Sequence, residues 1–156
     1  LLPFFGAGEI KGAEAKARVV DDLRALAPRA RAAGVVLAIE TTLPAREMVD
    51  MVRDVASPAV SIYYDVSNAV WLGYDPVAEL ETLHAAGALP PVHVKDGKER
   101  TGDAAPGEGR APYPAVAAAL RRLGYDGYLV LETPATEDPV AAARRHVAYM
   151  RGLLGA

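Results

Sequence analysis

The sequence predicts an α/β fold with a parallel sheet, corresponding to the last five strand–helix units of a (β/α)8 barrel. Three observations carry that expectation. Short apolar runs alternate with helical periods along the whole chain, which is the pattern of βαβ units joined by right-handed crossovers. The runs are too apolar for half-exposed strands and read as strands buried on both faces, as in parallel sheets. Four of them end abruptly on chemistry-bearing groups: Val35-Val36-Leu37-Ala38-Ile39-Glu40, Val60-Ser61-Ile62-Tyr63-Tyr64-Asp65, Pro91-Val92-His93-Val94-Lys95-Asp96 and Tyr128-Leu129-Val130-Leu131-Glu132. Functional residues at the ends of several strands favour a barrel over an open sheet, because barrel sites are built at the C-terminal face. A full barrel takes roughly 250 residues, so five units in 156 residues match its C-terminal portion, about strands 4 to 8.

The elements follow in order. Leu1-Leu2-Pro3-Phe4-Phe5 reads as the tail of a strand that a Gly6-Ala7-Gly8 turn ends. The chain thus opens in mid-strand, and we expect the N-terminal strands of a single partial domain over 1–156 to be missing. Residues 12–33 carry Val19, Val20, Leu23, Leu26, Ala27, Ala30 and Ala33 at helical spacing, with Pro28 as a candidate kink. Gly34 stops that helix and a strand to Glu40 begins at once. Pro44 is placed for a first helical turn, and Arg46 to Ala56 form the next helix. A strand to Asp65 follows. Asp75-Pro76 caps a helix that Gly87 closes, and the strand bearing His93 comes next. Residues 97–110 are glycine, proline and charge, a long loop of the kind that is usually functional. A helix from Pro112 to Leu123, the strand to Glu132, and an Asp138-Pro139 cap complete the series. The last helix is expected to bury Val140, Ala143, Val147, Met150 and Leu154.

Composition narrows the function. The net charge is -3 with both signs scattered, so nothing favours nucleic acid or an anionic membrane. The chain contains no cysteine, which excludes disulfides, thiolate metal sites and cysteine nucleophiles and fits a cytoplasmic protein. No apolar segment approaches the roughly 20 residues of a membrane helix. The open sheet edges of a partial barrel would invite pairing with another chain, so a homo-oligomer is one expectation.

Glu40, Asp65, His93 and Glu132 lie 25, 28 and 39 residues apart, about one βα unit each, with the long loop in the last gap. A parallel sheet would gather them at one rim. Three carboxylates and an imidazole form an oxygen-rich set that suits Mn²⁺, Mg²⁺, Co²⁺ or Zn²⁺. Lys95 and Asp96 follow the histidine and either contact substrate or pair with each other. Arg110 ends the glycine-rich loop and is placed to hold a phosphate or carboxylate bidentately. Asn68 follows Asp65 by three residues and Trp71 lies in a loop over the same rim, and both are further candidate substrate contacts. His84 and His146 fall within helices and are read as structural or solvated.

Leu37-Ala38-Ile39-Glu40, Tyr64-Asp65-Val66-Ser67-Asn68-Ala69, Val92-His93-Val94-Lys95-Asp96, Pro106-Gly107-Glu108-Gly109-Arg110 and Gly124-Tyr125-Asp126-Gly127-Tyr128 through Glu132 occur in that order. Together they resemble the sugar phosphate isomerase/epimerase superfamily, with its xylose isomerase-like TIM barrel. The resemblance implies that Glu40, Asp65, His93 and Glu132 ligate one divalent metal, and that Glu40 and Glu132 double as acid and base on a small carbohydrate. Removing a proton next to a carbonyl needs a base in reach and a cation to hold the enediolate charge. Returning the proton to the same carbon makes an epimerase, and to its neighbour an isomerase. A dehydratase of the inosose type could use the same four ligands. An endonuclease IV-like metallonuclease would need more strand-end histidines and a basic surface. A non-catalytic sugar-binding relic is a further alternative.

Overall fold

The computed structural model describes residues 1–155, and it divides into two compact units. The first is Leu1–Tyr64 with Thr82–Pro90, and the second is Asp65–Glu81 with the chain from Pro91 onward. Strands and helices alternate in both, as the sequence pattern predicts. Among the described residues no helix is long and apolar enough to cross a membrane.

The first unit carries a parallel sheet of β1 (Leu2–Phe4), β2 (Leu37–Thr41) and β3 (Val60–Ile62), in that order. Leu2 pairs with Ile39, and Leu37 with Val60. Helices α1 (Gly12–Ala32) and α2 (Ala45–Val55) pack against each other, and α2 also packs on β3. Val20, Leu23, Ala27 and Ala30 form the buried stripe of α1. Their spacing of three, four and three leaves Leu26 on the flank of the stripe, where it is 44% exposed. Pro28 does not split the helix, which continues through it to Ala32. The core joins this stripe to Ile10, Ile39, Met51, Val55 and Val60.

Helix α1 ends as its sequence suggests. Gly34 takes a positive φ of 66°, and the Gly34 and Val35 N–H groups bond back to Arg31 and Ala30. That paired closure satisfies carbonyls the helix leaves open, and a residue with a Cβ would resist the conformation. It also draws Val35 and Val36 into the connection. Both are about half exposed, so the strand begins at Leu37, two residues later than the apolar run suggests.

The second unit carries β4 (Tyr64–Asp65), β5 (Val92–Val94) and β6 (Leu129–Leu131), in the order β4-β5-β6, with β4 crossing the boundary at Tyr64. The β5–β6 pairing is parallel, with Val92 opposite Leu129 and Val94 opposite Leu131. Helix α5 (Tyr113–Arg122) buries Tyr113, Val116, Ala117, Ala119 and Leu120 and packs against α6 (Pro139–Leu154). Helix α4 (Pro76–Ala85) crosses the boundary between the units, and its Leu80 and Leu83 are fully buried.

Four expectations are corrected here. The run from Val60 to Asp65 is two strands, because it breaks at Tyr63, whose N–H turns to Ile39 O at 2.8 Å. A short helix α3 (Val66–Trp71) follows Asp65 directly where a loop was expected. Helix α6 buries Ala142, His146 and Met150, while Val140 is 61% and Val147 37% exposed. The buried stripe is therefore rotated from the predicted one, with Met150 common to both. Strand β6, at the edge of its sheet, has an exposed Val130 and is not buried on both faces.

The buried stripe of α1 and its exposed flank make a direct test. Leu23→Ala is expected to destabilise the protein by about 2–5 kcal/mol, through lost burial and the cavity left behind. Leu26→Ala should change it by less than about 0.5 kcal/mol. Urea unfolding of the two variants measures the contrast, and equal losses would contradict the observed stripe.

Candidate metal centre

The side chains gathered in the second unit come from the C-terminal ends of its strands. Asp65 closes β4, His93 lies in β5 with Lys95 just beyond it, and Glu132 follows β6. The Glu132 N–H bonds to Val94 O at 3.1 Å, so the ladder carries on to the residue that matters. His93 Nδ1 is 3.1 Å from Glu132 Oε2 and 3.8 Å from Asp65 Oδ2. Lys95 Nζ is 2.7 Å from Glu132 Oε1 and 3.6 Å from Asp65 Oδ2. The Asp65 side chain is 1% exposed and that of Glu132 45%, so one carboxylate is internal and the other reaches solvent.

Asp65 does two things. Its Oδ1 accepts the Asn68 N–H at 2.8 Å and caps α3, while its Oδ2 turns toward His93 and Lys95. Capping fixes the carboxylate plane, so the second oxygen is aimed by the helix it starts. Glu40 occupies the matching position in the first unit, near the end of β2, with 4% exposure.

The donors fit a divalent cation. Asp65, His93 and Glu132 each offer a ligand atom, and these lie within 4.8 Å of one another. Two donors about 2.0–2.2 Å from one ion can be no more than about 4.4 Å apart, so small side-chain adjustments suffice. Oxygen and imidazole donors suit the hard to borderline divalent ions.

Beside this group the 97–110 segment is an ordered loop built on Asp96. Asp96 is wholly buried. Its Oδ1 accepts the N–H groups of Gly97 at 2.8 Å and Ala111 at 3.0 Å, and its Oδ2 those of Gly107 and Gly109, both at 2.9 Å. Its carbonyl accepts Gly102 and Ala104 across an isolated antiparallel bridge. Both oxygens of Asp96, a residue expected to contact substrate or to pair with Lys95, are engaged by backbone N–H groups and are buried. The Lys95 ammonium lies within ion-pair distance of Asp65 and Glu132.

A second carboxylate braces the outer turn of the same loop. Asp103 accepts the N–H groups of Lys98, Glu99 and Arg100, and these, Lys98 foremost, hold its carboxyl below the usual range. Thr101 ties the loop to α3, donating to Asn68 Oδ1 at 3.1 Å and lying 3.2 Å from Ser67 Oγ. Asn68 thus takes part in holding the loop. Arg110 lies over the Trp71 ring, 4.3 Å from its centroid, so one indole face is covered by a guanidinium.

Sequence reasoning passed over Thr101 and Tyr113. The Tyr113 hydroxyl donates to Lys95 O at 2.6 Å. Burial, then the nearby Asp96 and Asp65 carboxylates, push its phenol well above the usual range, so it remains a donor. The available signal for the loop was an acid at its start followed by glycines at 97, 102, 107 and 109, which leave backbone N–H groups accessible.

Comparison with known proteins places the fold. The xylose isomerase-like TIM barrel family matches residues 2–153. A 2-epi-5-epi-valiolone 7-phosphate 2-epimerase from Actinoplanes sp. is 35% identical over 102 residues, which is 65% of this chain and 37% of that protein. A D-psicose 3-epimerase solved in the presence of D-fructose superposes with a TM-score of 0.75 at 22% identity, over 98% of this chain and 61% of that one. The IOLI protein with a binding zinc atom superposes with a TM-score of 0.76 at 18% identity, over 94% of this chain and 60% of that one. At those identities the structural likeness speaks for the fold. The chain spans a little over a third of the curated relative it matches and about three-fifths of these solved chains. With almost all of its length matched, this chain belongs to the xylose isomerase-like TIM barrel family.

Proposed function

We propose that this chain carries a divalent-metal-dependent epimerase or isomerase site for a small sugar, sugar phosphate or polyol, as part of one barrel domain. The observation that carries the reading is the cluster of Asp65, His93, Lys95 and Glu132, two carboxylates with an imidazole and an ammonium in mutual contact range. The epimerase named among its relatives supports the reaction class.

Asp65, His93 and Glu132 would hold the metal, and Glu40 is proposed as the fourth ligand. Burial of the Glu40 carboxylate at a strand end supports that role, since a buried carboxylate favours a cationic partner. A bound divalent ion would supply Lewis acidity toward a carbonyl oxygen.

The chain's own groups account for the proton movements. Glu132 takes the proton from the carbon next to the substrate carbonyl. The C–H electron pair moves toward the carbonyl carbon, and charge builds on the oxygen. Glu40 returns a proton on the opposite face, either to the same carbon or to its neighbour. Lys95, with its ammonium 2.7 Å from Glu132 Oε1, holds that carboxylate's orientation and adds a positive charge where the oxyanion forms. Asn68, Trp71 and Arg110 are the proposed substrate contacts.

Exchange of solvent deuterium into substrate tests the reaction. A panel of free ketoses, ketose phosphates and inososes in D₂O should show exchange with at least one member, lost on adding EDTA and restored by Mn²⁺ or Co²⁺. Absence of exchange across the panel would remove the assignment. In the same assay Glu132→Gln should lower the rate by about 10²–10⁴-fold.

Metal binding is tested separately by calorimetric titration of Mn²⁺. His93→Ala should weaken binding by at least about 100-fold, beyond what losing a ligand's hydrogen-bond partner costs. Glu40→Ala should weaken it in the same direction. Wild-type affinity in Glu40→Ala would strike Glu40 from the ligand set.

A further inference from the structure

The geometry points to an oxyanion subsite at Arg110, a pre-formed arm that selects substrates bearing a phosphate or carboxylate, with Asp96 as the residue that positions it. The inference rests on the proposed sugar site and names its substrate class more narrowly.

Arg110 is exposed, and among the described residues no carboxylate lies within ion-pair distance of its guanidinium. Among the described residues its side chain stacks on the Trp71 ring at 4.3 Å. Stacking fixes the guanidinium plane and leaves its N–H edge for a planar or tetrahedral oxyanion, which arginine binds bidentately. A guanidinium on an aromatic face is also less hydrated, so less water must be removed when an anion binds.

The backbone beneath Arg110 is held on both sides. The Gly109 and Ala111 N–H groups bond to Asp96, and the Arg110 N–H bonds to Gly97 O at 3.0 Å. A Cβ at Gly109 would run into Asp96 Oδ1, and one at Gly107 would run into the Tyr149 ring. The loop is therefore fitted around the Asp96 carboxylate from within and against Tyr149 from without. Little ordering remains to be done when a ligand arrives, and that is what raises affinity in a pre-organised arm.

The spacing suits a sugar. Trp71 lies six residues along α3 from Asp65, which caps that helix. At the rise of an α-helix this is roughly 9 Å. That is the order of distance between a reacting carbon near one end of a five- or six-carbon chain and an anionic group at the other.

Titration of the intact protein with inorganic phosphate and, in a parallel arm, acetate tests the subsite without requiring turnover. Phosphate binding is followed by ³¹P NMR and acetate binding by ¹³C NMR. Arg110→Met should weaken the preferred anion by roughly tenfold or more, the loss of one charge-assisted pair. Arg110→Lys should recover only part of it, because the fork is lost. Asp96→Asn should weaken binding as Arg110→Met does, and adding it to Arg110→Met should bring no further loss. Gly109→Ala provides a second perturbation of the same cage should Asp96→Asn fail to fold. Preference for phosphate over acetate assigns phosphate esters, and the reverse assigns sugar acids. Unchanged binding of both anions in Arg110→Met overturns the subsite. Wild-type binding in a folded Asp96→Asn, or a further loss in the double variant, overturns the positioning role. Neither result depends on whether deuterium exchange is seen, so failure of the subsite and failure of the epimerase reading remain distinct.

Discussion

A carboxylate removed from water must find matching positive charge or hydrogen-bond donors, and the second unit is organised around two aspartates that meet this demand differently. Asp96 meets it with backbone alone. Four N–H groups from Gly97, Gly107, Gly109 and Ala111 surround its two oxygens, and the loop takes its shape from them. Asp65 divides the task. One oxygen caps α3 and the other is turned to His93 and Lys95. The first arrangement builds a scaffold, and the second aims a ligand.

Placement of the remaining groups follows from these two anchors. The cap on α3 fixes the helix that carries Asn68 and Trp71. The cage around Asp96 fixes the loop that carries Thr101 and Arg110. The two meet where Thr101 bonds Asn68 and where Arg110 stacks on Trp71. Tyr113, kept protonated by burial, holds the Lys95 carbonyl and so steadies the backbone between His93 and Asp96. An exposed loop of this length would ordinarily be mobile. Here internal hydrogen bonds to Asp96 and Asp103 replace the missing secondary structure.

Much of the architecture was legible because its signals are local. Asp75-Pro76 and Asp138-Pro139 cap helices as expected, with Asp75 Oδ1 accepting the Val77 N–H and Asp138 Oδ1 that of Ala141. Gly34, Gly87 and Gly124 follow helices and bond back into their last turns. The carboxylates and the imidazole do stand at or near the ends of strands. The errors have a different origin. Val35 and Val36 are apolar yet exposed, because the closure of α1 captures them. Hydrophobic period alone placed Val140 and Val147 inside, yet the contacts of α6 are made by Ala142, His146 and Met150.

What the sequence by itself determined is the series of strands and helices, their caps, and the identity of the groups at the strand ends. Those properties depend on hydrogen bonds and side-chain periods spanning a few residues, so the neighbours in the chain suffice to define them. Which strand-end acid faces the site and which is consumed by the backbone was decided by the tertiary structure alone. Asp65 and Asp96 occupy equivalent places at the ends of their apolar runs. They differ because Gly107, Gly109 and Ala111, 11 to 15 residues further on, bring their N–H groups to Asp96. Only folding can deliver donors from that distance.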